Sequence, residues 1–158
     1  MGSAGFATAQ SSERTAQLNE RMAVSRMVTA GRMRAGAKWF YWIAALSMIN
    51  SIAVIAGGNF HFVVGLGITS VVDALARHVG NAGSVLALVI NGFVAGVFAL
   101  FGVFAAKAQK WAFLVGMGLY LLDGLLLTTV RDYLGLAFHV YALFAIYRGY
   151  QAAQQVQG

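Results

Sequence analysis

The sequence contains no cysteine and no proline, and charged residues make up only 10% of its 158 residues. Without cysteine the chain has no disulfide, no thiolate nucleophile and no cysteine ligands for zinc or iron–sulfur clusters. A soluble domain of this length carries about 25% charged residues. Hydrophobic residues instead make up 59% of this chain. The composition therefore predicts an integral membrane protein built as one helical bundle.

Motifs typical of catalysis are also missing from the sequence. It contains no HExxH, no GxSxG, no Walker lysine loop and no CxxC. The two aspartates within apolar segments, Asp73 and Asp123, fall on different predicted elements. No set of residues therefore argues for an enzyme, and none predicts a metal site.

Four apolar segments have about the length that a membrane-spanning helix needs. The predicted spans are 39–56, 85–106, 111–130 and 133–150. Within the second span Gly92 and Gly96 form a GxxxG pattern, which we expect to pack inside the bundle. The spans and their connections form a transmembrane unit of residues 38–150, followed by a polar tail at residues 151–158.

Residues 60–79 have a different pattern from the four spans. Their apolar residues follow helical spacing, while His61, Thr69, Asp73 and Arg77 fall on another face. A helix that is apolar on one face only is typical of a membrane surface. We therefore predict an external interfacial helix here, with Thr69 directed toward water or lipid head groups.

The N-terminal residues 1–37 form a basic arm, which we predict to be partly helical and cytoplasmic. Its weakly amphipathic pattern suggests a helix along the membrane surface that contacts anionic phospholipids. Nucleic acid is not an expected partner, because the arm lacks base-stacking aromatics and a basic flank beside a span is an ordinary topology signal. The predicted lipid contacts are Arg21, Arg26, Arg32, Arg34 and Lys38.

The positions of the basic residues predict the topology of the bundle. With four spans, nine of the eleven lysines and arginines lie on the side of the termini. The positive-inside rule then places both termini in the cytoplasm. A fifth span at residues 60–79 would move Lys107, Lys110 and Arg148 outside, so the pattern favours four spans.

The last two spans each carry one ionisable residue at the same predicted depth. Asp123 lies seven residues before Val130, and His139 lies six residues after Tyr133. Since only two residues join these spans, both side chains should lie roughly 9–11 Å below the turn on adjacent antiparallel helices. The sequence therefore predicts that Asp123 and His139 meet.

Two asparagines extend this polar layer to the other spans. Asn50 lies six residues before the external end of the first span, and Asn91 lies six residues after the external start of the second. Each is therefore roughly 9 Å below the outer boundary. The layer of Asn50, Asn91, Asp123 and His139 is either structural, holding the helices together, or a site for a proton, an ion or a ligand.

His139 also allows a further interpretation, in which it ligates the metal of a tetrapyrrole. The small residues near it, such as Gly135 and Ala142, would leave room for a flat ring. No second predicted span carries a histidine, so a haem held by two histidines is not expected. The sequence identifies no cofactor beyond this hypothesis.

Three short stretches resemble short bacterial integral membrane proteins whose activity is uncharacterised. They are Lys38-Trp39-Phe40-Tyr41-Trp42-Ile43, Gly65-Leu66-Gly67-Ile68-Thr69 with Val72-Asp73, and Leu122-Asp123-Gly124. The resemblance covers residues 38–150 and leaves the N-terminal arm outside. It implies an architecture and a bacterial cytoplasmic membrane, and it implies no activity.

The predicted fold is all-α: a four-helix membrane bundle with an external interfacial helix and a cytoplasmic basic N-terminal helix. Two functions remain open. The first is an accessory or scaffold subunit without catalytic activity, in a larger membrane complex or a homo-oligomer. The second is a small binding or translocation protein that uses the polar layer for a proton, an ion or a lipophilic ligand such as a quinone.

Overall fold

The structure is a computed structural model that describes residues 3–56, 66–69, 71–72, 81–129 and 131–157. In these ranges the chain is helical apart from short turns, so the predicted all-α class is confirmed for the described residues. A short helical stretch at residues 67–69 and 71–72 precedes the second long helix. The long helices are α1 (Ser3–Ile55), α2 (Asn81–Ala106), α3 (Lys110–Thr129) and α4 (Tyr133–Gln157).

The turns after α2 and α3 are closed in the same way. Ala108 and Arg131 adopt the left-handed conformation, with φ of 61° and 56°. In both turns the next residue donates its N–H to the carbonyl five residues earlier, at 3.1 Å. This is the Schellman pattern that ends many helices. Asp132 then caps α4, since its Oδ1 accepts the N–H of Gly135 at 2.9 Å.

The helices pack around a core that is rich in aromatic rings. α1 packs against α2 and α4, and α3 packs against α4 and α2. Phe40 of α1 is fully buried, and its ring centroid lies 6.2 Å from those of Phe101 and Phe113. One phenylalanine of α1 thus contacts both helices of the α2–α3 hairpin.

α1 and α4 approach each other closely through two glycines. A Cβ atom built on Gly36 would lie 2.5 Å from the Cα of Gly149, and one built on Gly149 would lie 2.6 Å from the Cα of Gly36. Real Cβ atoms do not come so near another backbone. Glycine is therefore required at both positions for this crossing of the two helices.

α1 continues as one 53-residue helix through the boundary at which the sequence predicted an arm to meet a span. The helix contains no break near Lys38, and Ala37 and Phe40 on either side of it are both buried. The predicted division at residues 37 and 38 therefore does not coincide with the end of a helix. A change from basic to apolar residues changes the surroundings of a helix and does not end it.

The C-terminal boundary also differs from the prediction. α4 continues through Gln157, and Ala152 and Ala153 are buried against the rest of the bundle. The segment predicted as a polar tail is thus the last part of a helix that packs on one face. Gln151, Gln154 and Gln155 lie on its exposed face.

Two of the helices include stretches that are long and apolar enough to cross a membrane. They are Val85–Ala106 in α2 and Lys110–Thr128 in α3. The expectation that Gly92 and Gly96 pack inside is wrong, because a Cβ on either would meet no described atom within 4 Å. Ala87, Asn91 and Ala95 occupy the inner face of α2 instead.

Candidate functional site: a buried aspartate–histidine pair

Asp123 of α3 and His139 of α4 lie in contact inside the bundle. The Nε2 atom of His139 is 2.9 Å from Oδ2 of Asp123, and the two residues are only 1% and 5% exposed. The short α3–α4 turn fixes the two helices as neighbours, and equal distances from the turn bring the two side chains to one level. The contact that the sequence predicted between them is therefore present.

The Asp123 carboxylate also holds a segment that the sequence placed outside the bundle. Its Oδ2 accepts the backbone N–H of Gly67 at 2.7 Å, and its Oδ1 accepts that of Ile68 at 2.8 Å. With Nε2 of His139, three nitrogen atoms converge on one carboxyl group. Charge-assisted bonds of this kind are about twice as strong as neutral ones.

Residues 66–69 lie among the long helices. Leu66 and Thr69 are fully buried. The N–H of Leu66 donates to the Ser47 hydroxyl of α1 at 2.9 Å, and the Thr69 hydroxyl donates to the carbonyl of Leu66 at 2.7 Å. The prediction that Thr69 faces water is therefore wrong. Residues 60–65, 70 and 73–79 of the predicted interfacial helix lie outside the described residues.

Tyr120 completes the surroundings of the histidine. Its ring stacks on the imidazole of His139, with centroids 4.1 Å apart and planes 12° from parallel. Tyr120 is fully buried, and its hydroxyl has no hydrogen-bond partner among the described residues. The stacked ring limits how far the imidazole can rotate, because rotation would bring the two rings into collision.

The two ring nitrogens of His139 determine how many protons the pair holds. Nδ1 lies 2.9 Å from the carbonyl oxygen of Gly135, which only accepts, so Nδ1 carries a hydrogen. The contact between Nε2 and the Asp123 oxygen then needs one more hydrogen between them. An imidazolium with a carboxylate satisfies this need, and so does a neutral imidazole with a carboxylic acid. In both states the pair holds one shared proton.

The two asparagines of the predicted layer have separate surroundings. The side-chain amide of Asn91 donates to the Ser51 hydroxyl at 2.8 Å, which joins α2 to α1. Asn50 is buried, and its Oδ1 has no partner among the described residues. No described hydrogen bond joins Asn50 to Asp123 or His139. Of the four residues in the predicted layer, Asp123 and His139 are thus in contact with each other. Asn91 instead bonds to Ser51 of α1.

Several groups at this site were not among the predicted site residues. Ser47 and Tyr120 carry a sequence signal, because Ser47 is one helical turn before Asn50 and Tyr120 is one turn before Asp123. The backbone N–H groups of Gly67 and Ile68 carry none, since every residue except proline has one.

The five predicted lipid-contacting residues are exposed and spread along α1. Arg21 and Lys38 are 17 residues apart in one continuous helix, which corresponds to roughly 26 Å along its axis. A flat surface perpendicular to the axis of α1 would therefore not contact all five at once. Arg34 and Lys38 are the two that lie next to the close crossing of α1 and α4 at Gly36.

The geometry around His139 also bears on tetrapyrrole binding. An axial ligand uses one ring nitrogen for the metal, whereas both nitrogens here face partners within this chain. Metal ligation would therefore break the contact with Asp123 or with Gly135. Among the described residues no group of three or more histidines, aspartates or glutamates is placed to hold a metal ion.

Comparisons of this chain with protein-family models, with curated proteins and with solved structures found no match.

Proposed function

We propose that this chain is a small membrane protein without catalytic activity that serves as an accessory or scaffold subunit of a larger membrane complex. The observation that carries the proposal is the closure of the buried polar centre. Asp123 and both nitrogens of His139 are bonded to groups of this chain. A binding site offers its polar groups to a ligand, whereas these groups connect α3, α4 and residues 66–68.

Apolar outer surfaces on all four long helices support a bundle of four spans. Within residues 39–56, 81–106, 111–129 and 133–147, Asp123 is the only aspartate, glutamate, lysine or arginine, and it is buried. These stretches are 15 to 26 residues long, compared with the roughly 20 residues of helix that cross the hydrocarbon layer. Exposed apolar residues include Trp42, Ile49 and Ile52 on α1, Val89 and Phe93 on α2, Leu121 and Leu122 on α3, and Val140 and Phe144 on α4.

Basic and aromatic side chains at one end of the bundle support the orientation. All three tryptophans lie there, and the ring of Trp111 contacts Phe104 at 5.3 Å across the α2–α3 turn. Tryptophan prefers the membrane interface, and lysine and arginine are enriched on the cytoplasmic side. The proposed location is the bacterial cytoplasmic membrane, with both termini inside. The basic residues at this end are Arg34, Lys38, Lys107, Lys110 and Arg148.

Single cysteines test this topology cleanly, because the chain has none of its own. We expect Ser12→Cys, Gln109→Cys and Gln154→Cys to be protected from a membrane-impermeant thiol reagent in intact cells. Arg131→Cys, at the opposite end of the bundle, should react. All four positions are exposed in the structure. Reaction of Arg131→Cys and Ser12→Cys from the same side would overturn the four-span arrangement.

The outer face of α2 supports a role in assembly. Gly92 and Gly96 are one helical turn apart, with open space beside them. Small residues on a lipid-facing surface allow another helix to approach closely. We propose this face as the surface on which a subunit of the complex packs.

Purification of the full chain from native membranes tests the proposed function. We expect a protein partner at fixed stoichiometry by mass spectrometry, and we expect Gly96→Leu to release it without unfolding the bundle. Gly118→Leu is the matched control, since Gly118 of α3 also has open space beside it but lies on another face. A chain that runs alone in mild detergent would contradict a scaffold role.

One observation favours the second candidate function, a binding or translocation protein. The Tyr120 hydroxyl and Asn50 Oδ1 are buried without a partner among the described residues, and such atoms often bind a water molecule or a ligand. The same purification separates the two functions. A quinone or a tetrapyrrole at fixed stoichiometry would favour the binding protein over the scaffold.

A further inference from the structure

We infer that the N-terminal part of α1 carries a docking surface for an acidic amphipathic helix of another protein. The surface lies beyond the end of α4 and is separate from the face of α2 that contains Gly92 and Gly96. It rests on the proposed function in requiring a protein partner, and a synthetic partner allows it to be tested separately. We call this surface the seam, and it consists of Thr15, Leu18, Met22, Ser25 and Thr29.

The seam has the spacing of a helix face that pairs with another helix. Its residues are alternately three and four positions apart, as are the a and d positions of a heptad, and none is charged. Leu18 and Met22 are 53% and 51% exposed. Side chains 10–28 of α1 are all exposed, whereas most helices in proteins gain their stability by packing one face. A partner helix would supply that packing.

The same face of α1 is buried farther along the helix, where the bundle surrounds it. Met33 lies four residues after Thr29 and Phe40 lies seven residues after Met33, and they are 5% and 0% exposed. α4 ends at Gln157. The groove where it ends is lined by Ser25, Arg26, Thr29, Ala30, Gln155 and Val156. A helix seated there would continue the packing of α4 along α1.

The charged side chains beside the seam are all basic. Arg14, Arg21 and Arg26 occupy the g and e positions of the heptad, which flank the seam. Glu13 and Glu20 both occupy the f position, on the opposite side of the helix. Residues 10–29 contain no other charged side chain. Because charges at e and g determine which helices pair, the matching partner has an apolar seam flanked by carboxylates.

A second copy of this chain lacks those carboxylates. In a parallel pair, Arg21 of one copy would face Arg26 of the other. In an antiparallel pair, e faces e and g faces g, so again no flanking pair joins opposite charges. Like charges placed together oppose association. The charge pattern therefore favours another protein over self-pairing.

Anionic lipid is the other source of negative charge for a basic helix beside a membrane. α1 is one continuous helix, so in the proposed orientation the seam would leave the bilayer together with it. Arg26 lies 12 residues before Lys38, which corresponds to roughly 18 Å along the axis. Physiological salt screens charges over about 8 Å. In that orientation the seam would be placed for a protein in solution and not for lipid.

A synthetic helix tests the inference on the full chain. The probe is a labelled peptide of about three heptads, with leucine at a and d and glutamate at e and g. A second peptide has lysine in place of each glutamate. The chain is held in nanodiscs that contain anionic phospholipid, so that lipid competes for the seam. In physiological salt, fluorescence anisotropy should show binding of the glutamate peptide and none of the lysine peptide. Failure of the glutamate peptide to bind would overturn the inference.

Leu18→Lys and Gln17→Lys separate docking in the seam from general attraction between charges. Both add one positive charge at neighbouring exposed positions, but Gln17 lies on another face of the helix. We expect Leu18→Lys to weaken binding of the glutamate peptide at least about tenfold, because the seam loses an apolar contact. Gln17→Lys should leave binding unchanged or slightly stronger. Equal effects of the two variants would mean attraction without docking and would refute the inference.

Single cysteines test whether a second copy occupies the seam instead. Met22→Cys lies in the seam, and Ala16→Cys lies on another face as the matched control. Under mild oxidation in membranes we expect neither variant to form a disulfide-linked dimer. A dimer from Met22→Cys alone would assign the seam to a second copy and overturn the inference. A chain that purifies without a partner subunit contradicts the scaffold function, whereas the peptide measurement still decides on the seam.

Discussion

Asp123→Ala is expected to lower the free energy of unfolding by about 4 kcal/mol, because it removes the partner of three groups inside the bundle. They are the backbone N–H groups of Gly67 and Ile68 and the buried ring nitrogen Nε2 of His139. His139→Leu should cost about half as much, since the carboxylate keeps its two backbone donors. Reversible unfolding of the full chain in detergent, followed by circular dichroism, measures both values.

Asp132→Ala is the matched control for this prediction. Asp132 lies on the same hairpin and also accepts a backbone N–H, from Gly135, but it is half-buried and caps a helix. Its loss should cost about 1 kcal/mol. The double variant of Asp123 and His139 should cost less than the sum of the single variants, because they share one bond. Equal losses for the two aspartates would refute a strongly bonded buried carboxylate.

Gly36→Ala is the second substitution with a large expected effect. The added methyl group would lie 2.5 Å from the backbone of Gly149, so α1 and α4 must move apart along their contact. Overpacking costs about 1–3 kcal/mol where side chains can adjust, and here the obstacle is backbone. We therefore expect a loss at or above the upper end of that range.

Gly31→Ala makes the same change on the same helix, five residues earlier. A Cβ at Gly31 would meet no described atom within 4 Å. Alanine forms helices better than glycine by about 1 kcal/mol, so this variant should be neutral or slightly stabilised. The same unfolding measurement compares the two variants. If they behave alike, α1 and α4 do not cross at Gly36.

The α3–α4 hairpin was the most predictable part of the fold. The predicted span 111–130 matches α3 to within one residue at each end, and the span 133–150 begins at the first residue of α4. The match is close because the turn between the helices is short and the flanking residues are apolar. Equal distances from that turn were enough to predict the contact between Asp123 and His139. Local spacing determines both features, so the sequence alone suffices for them.

The position of residues 66–69 was not predictable in the same way. An amphipathic pattern shows that one face is apolar and does not show what covers it. Leu66 is covered by other helices, and its neighbours are held through backbone groups that have no sequence signature. The same limit applies to α1, where the basic residues before Trp39 predict a boundary and the helix continues through it.

The length of α1 has a consequence for how its charges act. Arg14 lies 24 residues before Lys38 along one helix, roughly 36 Å along its axis. In the proposed orientation, with α1 crossing the bilayer and Lys38 at the level of the lipid head groups, that distance would separate Arg14 from the membrane. Charges in physiological salt are screened over about 8 Å. In that orientation Glu13 and Arg14 would lie beyond the reach of the lipid charge and would face molecules in solution well above the bilayer.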